Sequence, residues 1–398
     1  MSRTLEVSYL KTHRLPNKLA LARYAANPAL GPKVLFFSGG SALHELSQKI
    51  IQYTHNSIHL ITPFDSGGSS AELRKHFKLL AVGDIRHRIM ALADPGLKGN
   101  PEVYQLFATR LPKDQPQISL VETLRQMIEG RHGLIRAVSD PMRKIIRNHL
   151  YYFYKKMPEG FDLRGASVGN LILVGGFVNN HRQIDPVIYL FSRLIEARGV
   201  VRPVAAVDLQ LLADFEDGSS ILGQHRFTGK ESQAPASKLV KLRLANNQGE
   251  PVPPVKLKDK VGQFIERADL ICYPMGSFFS SLTANFLVAG VGDKISANPC
   301  PKIYVPNLGL DPEQKGYEVV QLVDRLLEML KASSRYPGWD SDYLNFLLID
   351  RQKGHQINKA QIDQLESRGI QVVDAELVGD RPEKIEEEKL LEVLLSLV

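Results

Sequence analysis

The sequence predicts an α/β fold: a Rossmann-like, mostly parallel sheet flanked by helices, with a small antiparallel β insertion. Three observations carry that expectation. Short, wholly apolar runs at 34–37 and 270–273 read as strands buried on both faces. Each run stops at a polar, glycine-bearing turn. After the first turn the apolar spacing changes to that of one helix face, with Leu43, Leu46, Ile50 and Ile51.

Residues 1–32 form a basic N-terminal extension ending at Pro32, in which five basic residues face one acid, Glu6. A strand at 34–37, a turn at 38–41 and a helix over 41–53 follow, then a second strand at 58–61 that ends at Asp65-Ser66-Gly67-Gly68. From 84 to 155 the pattern is mostly helical. The last of these helices is expected to start at Asp140 as N-cap with Pro141 at its first position. Residues 167–198 supply two more helices. Residues 200–255 alternate in short runs around a hairpin-like turn at 216–219, and read as the insertion, closed by Pro251, Pro253 and Pro254. Strand–helix alternation then returns, with strands at 270–273, 303–305 and 346–349, helices from about 279 and near 312–332, and a terminal helix. The organisation expected is an extension, 1–32, and one α/β domain, 33–398.

The 398 residues are 43% hydrophobic and 23% charged, the balance of a chain with a full core. The net charge of +7 is mild, and no Lys/Arg run is long enough for a nucleic-acid stripe, so no nucleic-acid partner is expected. With only Cys272 and Cys300, a disulfide framework and a cysteine zinc site are excluded, and a reducing cytoplasm is the natural compartment. No secretory signal is seen. The apolar stretch 171–178 falls far short of the roughly 20 residues that span a bilayer, so no membrane partner is expected.

In an open α/β sheet the ligand lies beyond the carboxyl ends of the strands, so the strand-end turns converge on one crevice. In Ser38-Gly39-Gly40-Ser41 the glycines admit close backbone approach, and a helix beginning at Ser41 favours a phosphate; many such turns carry glycines for conformational reasons alone. In Asp65-Ser66-Gly67-Gly68-Ser69-Ser70, Ser69 with Glu72 fits a capping box. Capping does not call for Asp65, whose carboxylate suits a metal-held diphosphate or a base for a hydroxyl proton. At 83–88, Asp84 and Arg86 read either as a helix cap and a solvated charge, or as a loop anchor and a guanidinium clamp on phosphate. The third turn is Pro274-Met275-Gly276-Ser277, before Ser280, Ser281 and Asn285. Asn170 is either a core amide or a reader of base or phosphate. The stretch 223–231 (G-Q-H-R-F-T-G-K-E) resembles a P-loop only superficially, because Glu231 stands where Ser or Thr must bind magnesium. No G-x-G-x-x-G follows the first strand, no H-E-x-x-H occurs, and no G-x-S-x-G elbow is present.

Taken in order, S-G-G-S-A-L (38–43), D-S-G-G-S-S-A-E-L-R (65–74), G-D-I-R (83–86), F-D-L-R-G-A-S-V-G-N-L-I-L (161–173) and the run from Ala268 to Val288 resemble the CofD/YvcK-like family of 2-phospho-L-lactate transferases and bacterial gluconeogenesis factors. The likeness runs from about 33 to 375 and is nearer the bacterial branch. It implies a Rossmann-like fold that holds a nucleoside diphosphate or a nucleotide sugar. One branch transfers a phospholactyl-type group from a guanosine diphospho donor to an alcohol with magnesium, releasing GMP; the other binds a nucleotide sugar and regulates. The resemblance implies phosphate contacts from Gly39, Gly40 and Ser41, with the Gly67, Gly68, Ser69 and Ser70 turn and Arg86 beside them. Asp65 would sit near a Mg2+ ion or the acceptor, and Asp65 and Asp84 are the catalytic candidates. Asn170, Gly276, Ser277 and Asn285 would complete the nucleotide pocket. Ser66 stands where the family usually has a second aspartate, Ala42 where it has glycine, and His87 where asparagine is common. Whether the chain catalyses or regulates stays open here, as does a homodimer.

Overall fold

The computed structural model describes residues 12, 14–94, 100–229, 235–309 and 311–398. Part of the basic extension, residues 1–11 and 13, therefore lies outside the described residues. Twelve strands are present among the described residues: β1 (Val34–Ser38), β2 (Ile58–Ile61), β3 (Val200–Pro203), β4 (Gln210–Phe215), β5 (Ser220–Leu222), β6 (Leu239–Ala245), β7 (Val255–Lys256), β8 (Leu270–Tyr273), β9 (Val288–Ala289), β10 (Lys302–Tyr304), β11 (Phe346–Ile349) and β12 (Gln371–Asp374). Seven form one wholly parallel sheet in the order β12-β11-β10-β8-β1-β2-β3. The chain builds outward from β1 to β3, then returns to β1's other edge with β8 and builds the opposite way. The switch point thus lies between β1 and β8, where a doubly wound sheet leaves its crevice.

The apolar runs are continuous because both faces of the sheet are covered. Along β1, Val34 and Phe36 join one buried cluster, while Leu35 and Phe37 join the other. The first cluster holds the helices between Lys18 and Leu194 together with the C-terminal helix Glu387–Ser396. The second takes in the insertion, through Leu211, Ala213, Phe215 and Phe227. With Phe36 and Phe37 fully buried, truncating either to Ala costs about 3–5 kcal/mol.

The antiparallel insertion is the sheet β5-β4-β6. It starts later than residue 200, because β3 pairs in parallel with β2 as an edge of the main sheet. Its alternating burial is that of a half-covered edge, which periodicity alone does not separate from an antiparallel strand. At the other edge β12 and the preceding helix Lys359–Glu366 are additional to the expected elements, again because the strand is only partly buried. The helix expected at Asp140 begins at Met142, and Asp140 instead pairs with Arg143 at 2.9 Å. Within the extension, helix Lys18–Ala26 buries Leu21 and is tied to the C-terminal helix by the Asn17 N–H donating to Ser396 Oγ at 2.7 Å. No helix among the described residues is long and apolar enough to cross a membrane.

Candidate functional site

The turn after β1 is gripped from within. A Cβ built on Gly40 would lie 2.1 Å from Asp84 Oδ1 and 2.8 Å from Asp84 Cα, and one on Gly39 would lie 2.6 Å from Ser281 Oγ. Close approach therefore does require glycine here, but the neighbours are the chain's own Asp84 and Ser281. From the other side the wholly buried Arg88 donates to the carbonyls of Gly39 and Gly40 at 3.0 and 3.3 Å, to Leu43 O at 2.6 Å and to Ser47 Oγ. Burial pulls the Arg88 guanidinium down to about 10, opposed by nearby Asp84. Gly39 and Gly40 are buried behind Asp84 and Ser281 and do not line the cleft, contrary to the phosphate contacts expected of them; this turn reaches the cleft through Ser41.

The turn after β2 leads into helix Gly68–Phe77, whose N-cap is Gly67. The capping box expected from Ser69 and Glu72 is thereby overturned: Ser69 lies inside the first turn, and Glu72 binds His76 at 2.8 Å. Asp65 Oδ1 accepts the Gly67 N–H at 3.2 Å. Arg74, also buried, donates to the Asp65 carbonyl at 2.8 Å and to Asp208 and Leu209 at the root of the insertion. This one guanidinium fixes the turn to the insertion.

These turns meet in a cleft of about 250 Å³, lined by Ser41, Asp65, Gly67, Gly68, Ser70, Asp84, Arg86 and Asn170. One wall is cationic. Arg86 is only 3% exposed and donates to Phe107 O at 3.0 Å and to His87 Nε2 at 2.7 Å, and its Nε is buried without a partner. Burial first, then Arg110, lowers it to about 10. No carboxylate pairs with Arg86 or Arg110 among the described residues. His87, which accepts from Arg86, is held at about 4 by burial and by the surrounding arginines. Asn170 lies in helix Val168–Asn179, whose N-cap is Ser167. The insertion also lines this cleft, with Gln224, His225 and Thr228. Gln224 Oε1 and Thr228 Oγ1 are buried polar atoms without hydrogen-bond partners.

A second cleft, of about 490 Å³, continues from the first through Ser41 and Thr228, and Gly276 and Ser277 line it. The expected helix after this turn is a π-turn, Phe278–Leu282, running into a 3-10 segment, Thr283–Leu287. Its leading N–H groups are already taken: Asp311 accepts from Phe278 at 3.0 Å, and Glu313 from Phe279 and Ser280 at 2.8 Å each. Burial, with Asp311 beside it, pushes Glu313 up to about 7. Gly276 N–H goes to Asn307 Oδ1 at 2.7 Å. Asn285 lines neither cleft; it is fully buried, with its amide donating to Ser281 O and Leu282 O.

The sequence model of the family described as 2-phospho-L-lactate transferase CofD matches residues 34–388. The chain belongs to the CofD family. A Thermotoga maritima relative is 27% identical over 323 residues, 81% of this chain and 79% of its own. A Bacillus subtilis relative named gluconeogenesis factor is 24% identical over 361 residues, 87% of this chain and 91% of its own. In fold, this CofD-family chain is similar to a crystal structure of a Bacillus halodurans protein of the UPF0052 family, with TM-score 0.64 and 19% identity over 92% of this chain and 99% of that one.

Within this CofD-family chain, sequence reasoning did not reach Arg110, Gln224, His225 or Thr228. The last three lie in the stretch set aside as a false P-loop, of which residues 230 and 231 lie outside the described residues. Two glycines, an amide, an imidazole and a threonine in the seven residues 223–229 were the available signal. Arg88 also went unnoticed, although it stands two residues from Arg86 in the same motif.

Proposed function

We propose that the cationic cleft holds the diphosphate of a nucleoside-diphosphate ligand, with the rest of the nucleotide reaching into the second cleft past Ser41. The observation that carries this reading is Arg86, a buried guanidinium without a carboxylate partner, set beside Arg110 at the mouth of glycine turns. Such a charge is costly unless an anion completes it. The second cleft is the poorer phosphate site, because Asp311 and Glu313 already occupy its helix N–H groups.

In the transferase form of the proposal, an acceptor hydroxyl attacks the phosphoanhydride. Its proton passes to Asp65, a new P–O bond forms, and the bond to the departing nucleoside monophosphate breaks, releasing GMP from a guanosine diphospho donor. Asp65 also suits a magnesium ion delivered with the phosphates: it lines the cleft with its Oδ1 accepting the Gly67 N–H, and no group of three His, Cys, Asp or Glu that could hold a metal by itself occurs among the described residues. Such an ion would offset charge on the leaving group. A second reading, a nucleotide-sugar-binding regulator, is favoured by the name of the Bacillus subtilis relative and by Ser66, which binds His225 and leaves Asp65 as the one carboxylate of that turn.

A thermal-shift screen of GDP, GTP and UDP-sugars, each with and without Mg2+, tests both readings. Stabilisation by a nucleoside diphosphate supports the site; no shift from any of them overturns it. GMP release from donor, acceptor and Mg2+, abolished in Asp65→Asn, separates transfer from binding alone.

A further inference from the structure

The wall contributed by the insertion is as specific as the cationic one. Ser66 Oγ lies 2.8 Å from His225 Nδ1, although 159 residues separate them, and it also accepts the backbone N–H of His225 at 3.3 Å. The Ser66 hydroxyl has one hydrogen to donate as well as two lone pairs, and among the described residues the ring nitrogen at 2.8 Å is the one acceptor within its reach. His225 Nδ1 is then the acceptor, and the neutral ring carries its proton on Nε2. The Nδ1 edge faces Gly223 and Ser66. Nε2 has no hydrogen-bond partner among the described residues, while the ring lines the cleft. Ser66 itself is 6% exposed and stands behind the lining, so it does not meet a ligand.

The neighbours of His225 support the same reading independently. Gln224 and Thr228 flank it, each 5% exposed, with Gln224 Oε1 and Thr228 Oγ1 buried and unpartnered. Buried polar atoms are normally paired, and two such atoms on one short segment lining one cleft, with the half-buried His225 between them, point to a ligand. We infer that His225 donates Nε2–H to an anionic oxygen of the ligand held by Arg86, and that Ser66 is the positioning residue that fixes this tautomer. This rests on the anion-binding reading above and adds an uncharged donor to the cleft that the arginines line. The ligand class is accordingly a phosphate or diphosphate held by the arginines and by His225 together.

The test uses the full chain, 15N-labelled, at mildly alkaline pH, where histidine side chains are in general neutral. Long-range 1H–15N correlation, with His225 assigned by its loss in His225→Leu, is expected to show the Nε2–H tautomer. Ser66→Ala should shift it toward a mixture, and Ser66→Thr, which keeps the hydroxyl, should restore it. Calorimetry with inorganic pyrophosphate should show binding weakened about tenfold in His225→Leu, the size of one hydrogen bond to a charged group. An Nδ1–H tautomer in the parent chain overturns the inference, as does a tautomer unchanged in Ser66→Ala. So does pyrophosphate affinity within twofold of the parent in His225→Leu. Should the parent chain not bind pyrophosphate at all, the anion reading and His225's ligand contact fall together, while the tautomer measurement still decides the Ser66–His225 pairing.

Discussion

Arg86 and Arg88 stand two residues apart on one helix, are both buried, and are both pulled from 12.5 to about 10. That fall corresponds to a penalty of about 3 kcal/mol on each charged form. Their returns differ. Arg86 has one hydrogen bond to a main-chain carbonyl, Phe107 O, worth about 1 kcal/mol. Arg86→Met keeps the apolar stem packed at Gly169 and removes the penalty, at the cost of two acceptors left without their donor, Phe107 O and His87 Nε2, at about 1–3 kcal/mol each. Its stability is expected within about 2 kcal/mol of the parent chain. Arg88 serves three carbonyls and the Ser47 hydroxyl, and Asp84 beside it. At about 1–3 kcal/mol for each acceptor left buried, Arg88→Met loses about 3–5 kcal/mol even after its penalty is recovered. Urea unfolding measures these values, and calorimetry with GDP measures the other half: Arg86→Met should weaken binding roughly 10- to 100-fold. Equal destabilisation by the two substitutions, or undiminished GDP affinity in Arg86→Met, refutes the division of labour.

His87, held at about 4 against an ordinary 6.5, is neutral at pH about 5. An anion placed beside it raises that value, so ligand binding should take up a proton at pH about 5 and none at pH about 8, measured by calorimetry in buffers of different ionisation heat. Because its folded value lies below the unfolded one, the stability associated with neutral His87 is complete above 6.5 and is lost as pH falls toward 4; His87→Asn should flatten that loss, about 3 kcal/mol at most. Glu313 has the opposite sign. Raised from 4.5 to about 7, it favours folding most below pH 4.5, and that contribution disappears as pH rises to about 7. Glu313→Gln should therefore remove a decline of about 3 kcal/mol in unfolding free energy across that window, followed by denaturant melts at several pH values. Gly40→Ala forces a Cβ against the backbone of Asp84 and should cost about 1–3 kcal/mol in the same melts.

The central strands were legible because burial on both faces leaves no room for polar residues, as along Val34 to Phe37. β3 was not, because its alternating burial is that of a surface hairpin, and β12 was not, because none of its four residues is buried. The glycine turns, Asp65 and Arg86 could be read locally, since strand ends and their turns converge by topology. Arg110 and His225 could not. Each reaches the cleft from an element whose docking depends on tertiary packing, and neither residue type stands out against its neighbours. The meaning of Ser66 was likewise hidden, because its partner lies 159 residues away.

The two walls of the cleft belong to different parts of the architecture. Arg86 and Asn170 sit on helices packed into the main core, whereas Gln224, His225 and Thr228 ride on an excursion that leaves the sheet after β3 and returns before β8. The anion grip and the lining contributed by the insertion can therefore diverge separately. Exchanging the excursion between relatives, cut outside the paired strands Gln210–Phe215 and Leu239–Ala245, would keep the phosphate anchor and re-specify what is recognised beside it. The fold is in this sense modular at its binding site, with Arg74 as the joint that a graft must preserve.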